Sequence, residues 1–253
     1  MSKNYIKGMM FAALFAALTA AVSPIKIPLG FTPVPITLQT LMVLLSGALL
    51  GAYLGALSQF LYLLVGALGL PVFAGGSFGL GAILGPTGGY LMSYPIAAFV
   101  VGFIYQKRNK AVQYISAGLI GCLMLIAYTD LIFNAGIMKY GKATLVSLMT
   151  FGQRMAFVFG SLAVIAIIFY LTFYLHKKKK IEFNSVFAMF AGTIVIYAFG
   201  ASYGKLITGL GWAAVFIGWV LPFIIGDSIK LMVAAYIANN ADAKRYCEKL
   251  RSK

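Results

Sequence analysis

A succession of apolar runs, each close to the length of a bilayer crossing, constrains this chain more than any other feature. A helix needs about 20 residues to cross roughly 30 Å of hydrocarbon. By that ruler the expected spans are 8–23, 37–52, 53–69, 86–106, 111–135, 153–175, 183–203 and one from about Asp227 to Lys244. The second and third are nearly contiguous around Gly51 and predict a tight helical hairpin. A single helix from Lys205 to Lys244 would be about twice the membrane thickness. Pro222 and Gly226 supply a break, which leaves a short helix at 206–221 lying at the interface. The expectation is an all-α integral membrane protein with eight spans.

Composition agrees with a bilayer as solvent. Of 253 residues 62% are apolar and 10% charged, against about 25% charged in a soluble domain. So few charges cannot coat a soluble globule, which excludes a soluble enzyme, a disordered chain and a disulfide scaffold. The run Met9–Val22 behind Lys3 and Lys7 has the look of a signal peptide. It is followed by Ser23-Pro24-Ile25-Lys26 rather than a small-x-small cleavage site, so it reads as a retained first span.

The formal charge of +15 has a topological explanation. With the N-terminus in the cytoplasm, fourteen Lys and Arg residues fall in cytoplasmic segments and four (Lys26, Lys139, Lys142 and Lys205) in outer ones. That is the positive-inside bias, with both termini in the cytoplasm of a multi-pass cell-membrane protein. Lipid headgroups then suffice as anionic partners. Nucleic acid is not expected, since no polar surface is wide enough to track phosphates.

Ionisable residues inside apolar spans are expensive and mark function. Gly226-Asp227-Ser228-Ile229-Lys230 places Asp227 and Lys230 on one helix face at i and i+3. Asp227 follows Pro222 and Gly226, where it can cap a helix start, and Lys230 would then sit beside open backbone donors, a seat for an anion. The alternative is that the pair neutralises itself and snorkels to the outer headgroups. Asp130 and Arg154 read as a structural pair across the fifth and sixth spans, and Glu182 as part of a solvated turn. The single histidine, His176, abuts Lys177–Lys180, so no nucleophilic triad or metal cluster assembles, and no metal or other cofactor is expected. The ATP-binding pattern Gly-x-x-x-x-Gly-Lys-Ser/Thr is absent, so ATP energy must come through another protein.

Seven glycines lie within positions 75–89. Glycine lets backbone groups approach a bound molecule closely, although close helix packing also favours it. Because 75–82 falls outside the spans, ligand contact is the preferred reading. Pro24, Pro28, Pro33 and Pro35 stiffen the loop 24–36 into a cover, and Gln39 adds a neutral polar group at the same depth. These features converge on a small cavity near the outer surface. In the first span Ala12, Ala16 and Ala20 form one small-residue row and Ala13, Ala17 and Ala21 another, suited to a partner protein or to packing within the chain.

Five blocks carry a resemblance: Ala12–Ala21, Pro33–Thr40, Gly69–Gly76, Gly85–Tyr90 and Leu221–Lys230. Over roughly 1–110 and 183–243 the chain resembles the BioY family, the biotin-capturing S components of energy-coupling factor transporters. The resemblance implies a vitamin receptor that docks on a transmembrane T component driven by two cytoplasmic ATPase subunits. Ala12, Ala13, Ala16, Ala17 and Ala20 match the docking surface, Asp227 and Lys230 the biotin site, and Gly75, Gly76 and Ser77 the substrate loop. Tyr90 and Phe73 are expected along the apolar part of biotin, with Gln39 nearby. Asp227 suits the ureido N–H groups. Lys230 either neutralises the biotin carboxylate, the preferred reading, or orients Asp227. Some members carry an arginine where this chain has Leu91 and an asparagine at Ser77, so Lys230 or outer backbone donors would take the carboxylate. The resemblance also implies a six-helix core over 1–110 and 183–253, so that 111–180 is an inserted helical hairpin that would shield the core, or offer a surface for a homodimer or the T component. An S component for another small vitamin-like anion, and a non-catalytic membrane scaffold, are the alternatives.

Overall fold

The computed structural model describes residues 3–30, 32–107 and 181–240, with isolated positions between 163 and 178. Helix α1 is Lys3–Val22, and the proline loop after it holds a small antiparallel ladder, β1 (Lys26–Ile27) with β2 (Ile36–Thr37), pairing Lys26 with Thr37. Then come α2 (Gln39–Leu50) and α3 (Ala52–Ala67), a 3₁₀ turn at Ala74–Gly76, α4 (Gly79–Leu84), α5 (Gly88–Lys107) and α6 (Phe183–Thr208). Helix α7 (Trp212–Val215) passes through a π turn (Phe216–Val220) and a 3₁₀ turn (Leu221–Phe223) into α8 (Ile224–Ala238). Pro222 explains the irregular turns, since it has no N–H for an i→i−4 bond.

Helix α5 is central and packs on α2, α3 and α6, while α1 lies on α3 and α2, and α8 on α2 and α6. Lipid tails give no hydrophobic drive between helices, so close backbone approach carries the packing. Glycines supply it: a Cβ on Gly55 would lie 2.8 Å from Gly47 Cα, Gly47 has no room beside the Ala98 carbonyl, and Gly102 none beside the Ala52 amide. Buried polar groups add glue, with Gln59 Nε2 donating to Ser46 Oγ at 3.1 Å and to Thr19 Oγ1 at 3.3 Å, which joins α3 to α2 and α1.

Helix α8 shows the two faces such a helix needs. Ile225, Ile229, Val233 and Tyr236 are exposed on its outer side, while Asp227, Leu231, Ala234, Ala235 and Ala238 are buried. The first stripe suits lipid tails and the second suits the bundle.

The expectation of eight spans is corrected. Among the described residues, three helices are long and apolar enough to cross a membrane: Gly88–Gln106, Phe183–Thr208 and Gly218–Ala238. Ile6–Val22, Gln39–Leu50 and Ala52–Ala67 are shorter apolar helices. The hairpin is real, but its break at Gly51, with φ +87°, leaves arms of about 18 and 24 Å at 1.5 Å per residue. Apolar composition there serves the protein interior as much as lipid. The all-α description is also amended by the β1–β2 ladder. No separate interfacial helix occupies 206–221, because α6 runs on to Thr208 and stops at Gly209, whose φ is +67°. The inserted hairpin, including Asp130 and Arg154, lies outside the described residues.

Candidate functional site

A cavity of about 300 Å³ opens where the β1–β2 arm, the 73–77 turn, the first turns of α2, α5 and α8 and the middle of α6 meet. Its most unusual wall group is the carboxylate of Asp227, a residue only 6% exposed. Oδ1 accepts from Lys230 Nζ at 2.7 Å and from Thr40 Oγ1 at 3.1 Å, and Oδ2 accepts from Tyr197 OH at 2.7 Å. Lys230 Nζ also donates to Thr40 Oγ1 at 3.3 Å. Helices α2, α6 and α8 thus each contribute to one charge cluster. A carboxylate has about four acceptor positions; three are taken, and one on Oδ2 remains for a further donor.

Asp227 and Lys230 therefore pair, but inside the bundle rather than at headgroups. Asp227 is not a helix cap: α8 continues from the turns before it, its N-cap residue is Phe223, and no side chain caps it. With that end closed, Lys230 has no row of open backbone donors beside it.

Gln39, 3% exposed, centres a second polar group. Its Oε1 accepts from Thr37 Oγ1 at 3.1 Å and Tyr94 OH at 3.0 Å, and its Nε2 donates to Tyr62 OH at 2.7 Å. Tyr62 OH in turn donates to the Val72 carbonyl at 3.1 Å. This chain of bonds ties the start of α2 to the segment leading into the loop. Next to it Phe73, 1% exposed, meets Tyr62 edge-to-face at 5.5 Å between ring centroids and fills the space that a Cβ on Gly66 would need. Tyr90 lines the cavity from α5 and donates its hydroxyl to the Trp219 carbonyl, fastening α5 to the π turn.

The loop is divided. Ser77 lines the cavity and donates to the Ala74 carbonyl at 3.1 Å, but Gly75 and Gly76 are not part of the wall. Gly75, with φ +67°, is the residue over which the Lys26 side chain lies. Further along, Gly88 and Gly89 are packing positions, set against Ile83 and against Tyr203 and Phe199 of α6. The 75–89 glycines thus differ in surroundings: Gly88 and Gly89 are packed, whereas Gly76, Gly79 and Gly81 have nothing within 4 Å of where a Cβ would stand.

Of the sequence candidates, the cavity brings together Gln39, Phe73, Ser77, Tyr90, Asp227 and Lys230. Thr40, Tyr94, Tyr197 and Lys26 also line it and were not among the sequence candidates. The alanine rows separate too: Ala12 and Ala16 are buried within the fold, Ala20 is partly buried, and Ala13, Ala17 and Ala21 are exposed.

Fold and site define a multi-pass membrane protein with a small, polar-headed cavity among its helices. The BioY family model matches residues 1–177 and 132–246. The chain is 30% identical over 232 residues to "Biotin transporter BioY" of Rhizobium etli, covering 91% of this chain and 90% of that one. It is 42% identical over 145 residues to "Probable biotin transporter BioY" of Pyrococcus horikoshii, covering 57% of this chain and 85% of that one. A crystal structure described as the S-component for biotin from an ECF-type ABC transporter shares the fold, with a TM-score of 0.58 at 21% identity over 94% of this chain and 93% of that one. This chain belongs to the BioY family. It is a membrane transport protein and not an enzyme.

Proposed function

We propose that the chain is a biotin receptor, the S component of an energy-coupling factor transporter, and that it takes biotin into the 300 Å³ cavity. The observation that carries this reading is the buried Asp227 carboxylate, with three donors in place and one acceptor position left. Biotin presents a ureido group with N–H donors, an apolar bicycle and chain, and a carboxylate. A ureido N–H meets Asp227 Oδ2 in a charge-assisted bond, and the bicycle lies against Tyr90, Leu91 and Phe223. The cavity sits at the small end of ligand sites, which suits a vitamin and not a lipid or peptide. The names of the relatives support the same ligand.

Movement inward requires work that this chain has no means of extracting from ATP. A T component with two cytoplasmic ATPases supplies it, docking on α1 where Ala13 and Ala17 leave a shallow, close-approach surface. Titration calorimetry on the purified chain tests the reading. Saturable biotin binding, displaced by desthiobiotin and indifferent to riboflavin, is expected. Binding of another vitamin in preference to biotin, or of none, would overturn it.

A further inference from the structure

Two lysines and one aspartate line the cavity, a formal charge of +1. Lys230 is spent on Asp227 at 2.7 Å. The remaining cation is Lys26, which has no ion pair among the described residues. Its position is not that of a loose surface lysine. Strand β1 holds its backbone opposite Thr37, two residues before Gln39. Its stem and ammonium lie across Gly75, at the place a side chain on residue 75 would fill. A glycine at 75, in the left-handed region at φ +67°, therefore makes room for the lysine. The result is an ammonium carried by the arm and lying over Gly75 of the 73–77 turn, on the wall of the cavity.

We infer that Lys26 is the seat of the substrate carboxylate, and that it makes the cavity selective for a monoanion. The inference rests on the biotin reading above and divides the ligand between two poles: ureido at Asp227, carboxylate at Lys26. Asp227 and Lys230 cancel, so a neutral ligand would leave Lys26 without a counterion, whereas a monocarboxylate brings the cavity to neutrality. Because Lys26 is exposed, its pairing is partly screened and is worth a modest factor, not orders of magnitude.

The experiment compares biotin with biotinol, its neutral alcohol, by calorimetry on the wild-type chain and on Lys26→Gln and Lys26→Arg. Lys26→Gln is expected to bind biotin about fivefold more weakly while binding biotinol as the wild type does, so that the ratio of the two affinities falls by the same factor. Lys26→Arg is expected to keep most of the ratio. Biotinol binding reports that each variant is folded. An unchanged ratio in Lys26→Gln, or equal losses for both ligands, would overturn the assignment of the carboxylate and leave the biotin reading standing. A wild-type chain that binds neither ligand would overturn both.

Discussion

The Asp227 carboxylate is satisfied inside the bundle because its three donors, Thr40, Tyr197 and Lys230, come from three different helices and converge on one group. Such a pair gains little net stability over an apolar replacement, but removing one partner leaves the other charge buried alone. Asp227→Asn is accordingly expected to weaken biotin binding at least tenfold, about 1.4 kcal/mol, and to lower the thermal midpoint as well. Asp227→Asn combined with Lys230→Met should recover much of the midpoint without recovering the affinity. Calorimetry together with a melting curve separates the two effects, and wild-type affinity in a folded Asp227→Asn would remove Asp227 from the site. At this scale charge was the legible signal: Asp227 and Lys230 stand out in an apolar run because ions there are costly. Thr40, Tyr94 and Tyr197 did not, since hydroxyls are common in membrane helices and bear no such cost. Lys26 was hidden for another reason. As one of four basic residues that the topology count assigned to the outside, it was absorbed there.

Helix boundaries were legible where a break has its own chemistry. Helix α5 starts at Gly88, just after Gly85-Pro86-Thr87, and ends at Lys107, and α6 opens at Phe183, where its span was expected to begin. The hairpin at Gly51 was foreseen, but the length of its arms was not, because hydropathy does not distinguish a helix facing lipid from one enclosed by α5 and α1. The span expected to end at 203 runs on through Gly204, which sits inside the helix against Trp219, to the terminating Gly209. Which glycine packs and which one turns is a tertiary fact. Packing glycines make the element-scale prediction. Gly102→Ala would press a methyl into the backbone at Ala52, where no flexible side chain can yield. A loss of about 1–3 kcal/mol is expected from overpacking, read as a lower melting temperature in detergent, whereas Gly226→Ala, with nothing within 4 Å of the added carbon, should melt as the wild type does. Equal midpoints for the two variants would mean that α2, α3 and α5 can spread without cost.

For the whole molecule, the proposed function assigns capture and delivery to different surfaces. The cavity is lined by the arm, the loop and parts of α2, α5, α6 and α8, while α1 lies to the side on α2 and α3. Its two alanine rows differ by one residue in register and by face: Ala12 and Ala16 hold α1 to its own bundle, and Ala13 and Ala17 look outward beside exposed Met10, Leu14 and Leu18. From sequence the rows were equivalent, since small-residue spacing shows that two helices approach closely but not whose helix approaches. If the outward row meets the T component, Ala17→Trp should bind biotin with wild-type affinity as a purified chain, yet fail to co-purify with the T component and ATPases and fail to support biotin uptake in cells. Ala16→Trp should instead disturb the fold and lose binding along with uptake. Intact uptake by Ala17→Trp in the presence of the ATPase module would place docking on another face, because a bulky indole cannot be accommodated where helices approach through alanine.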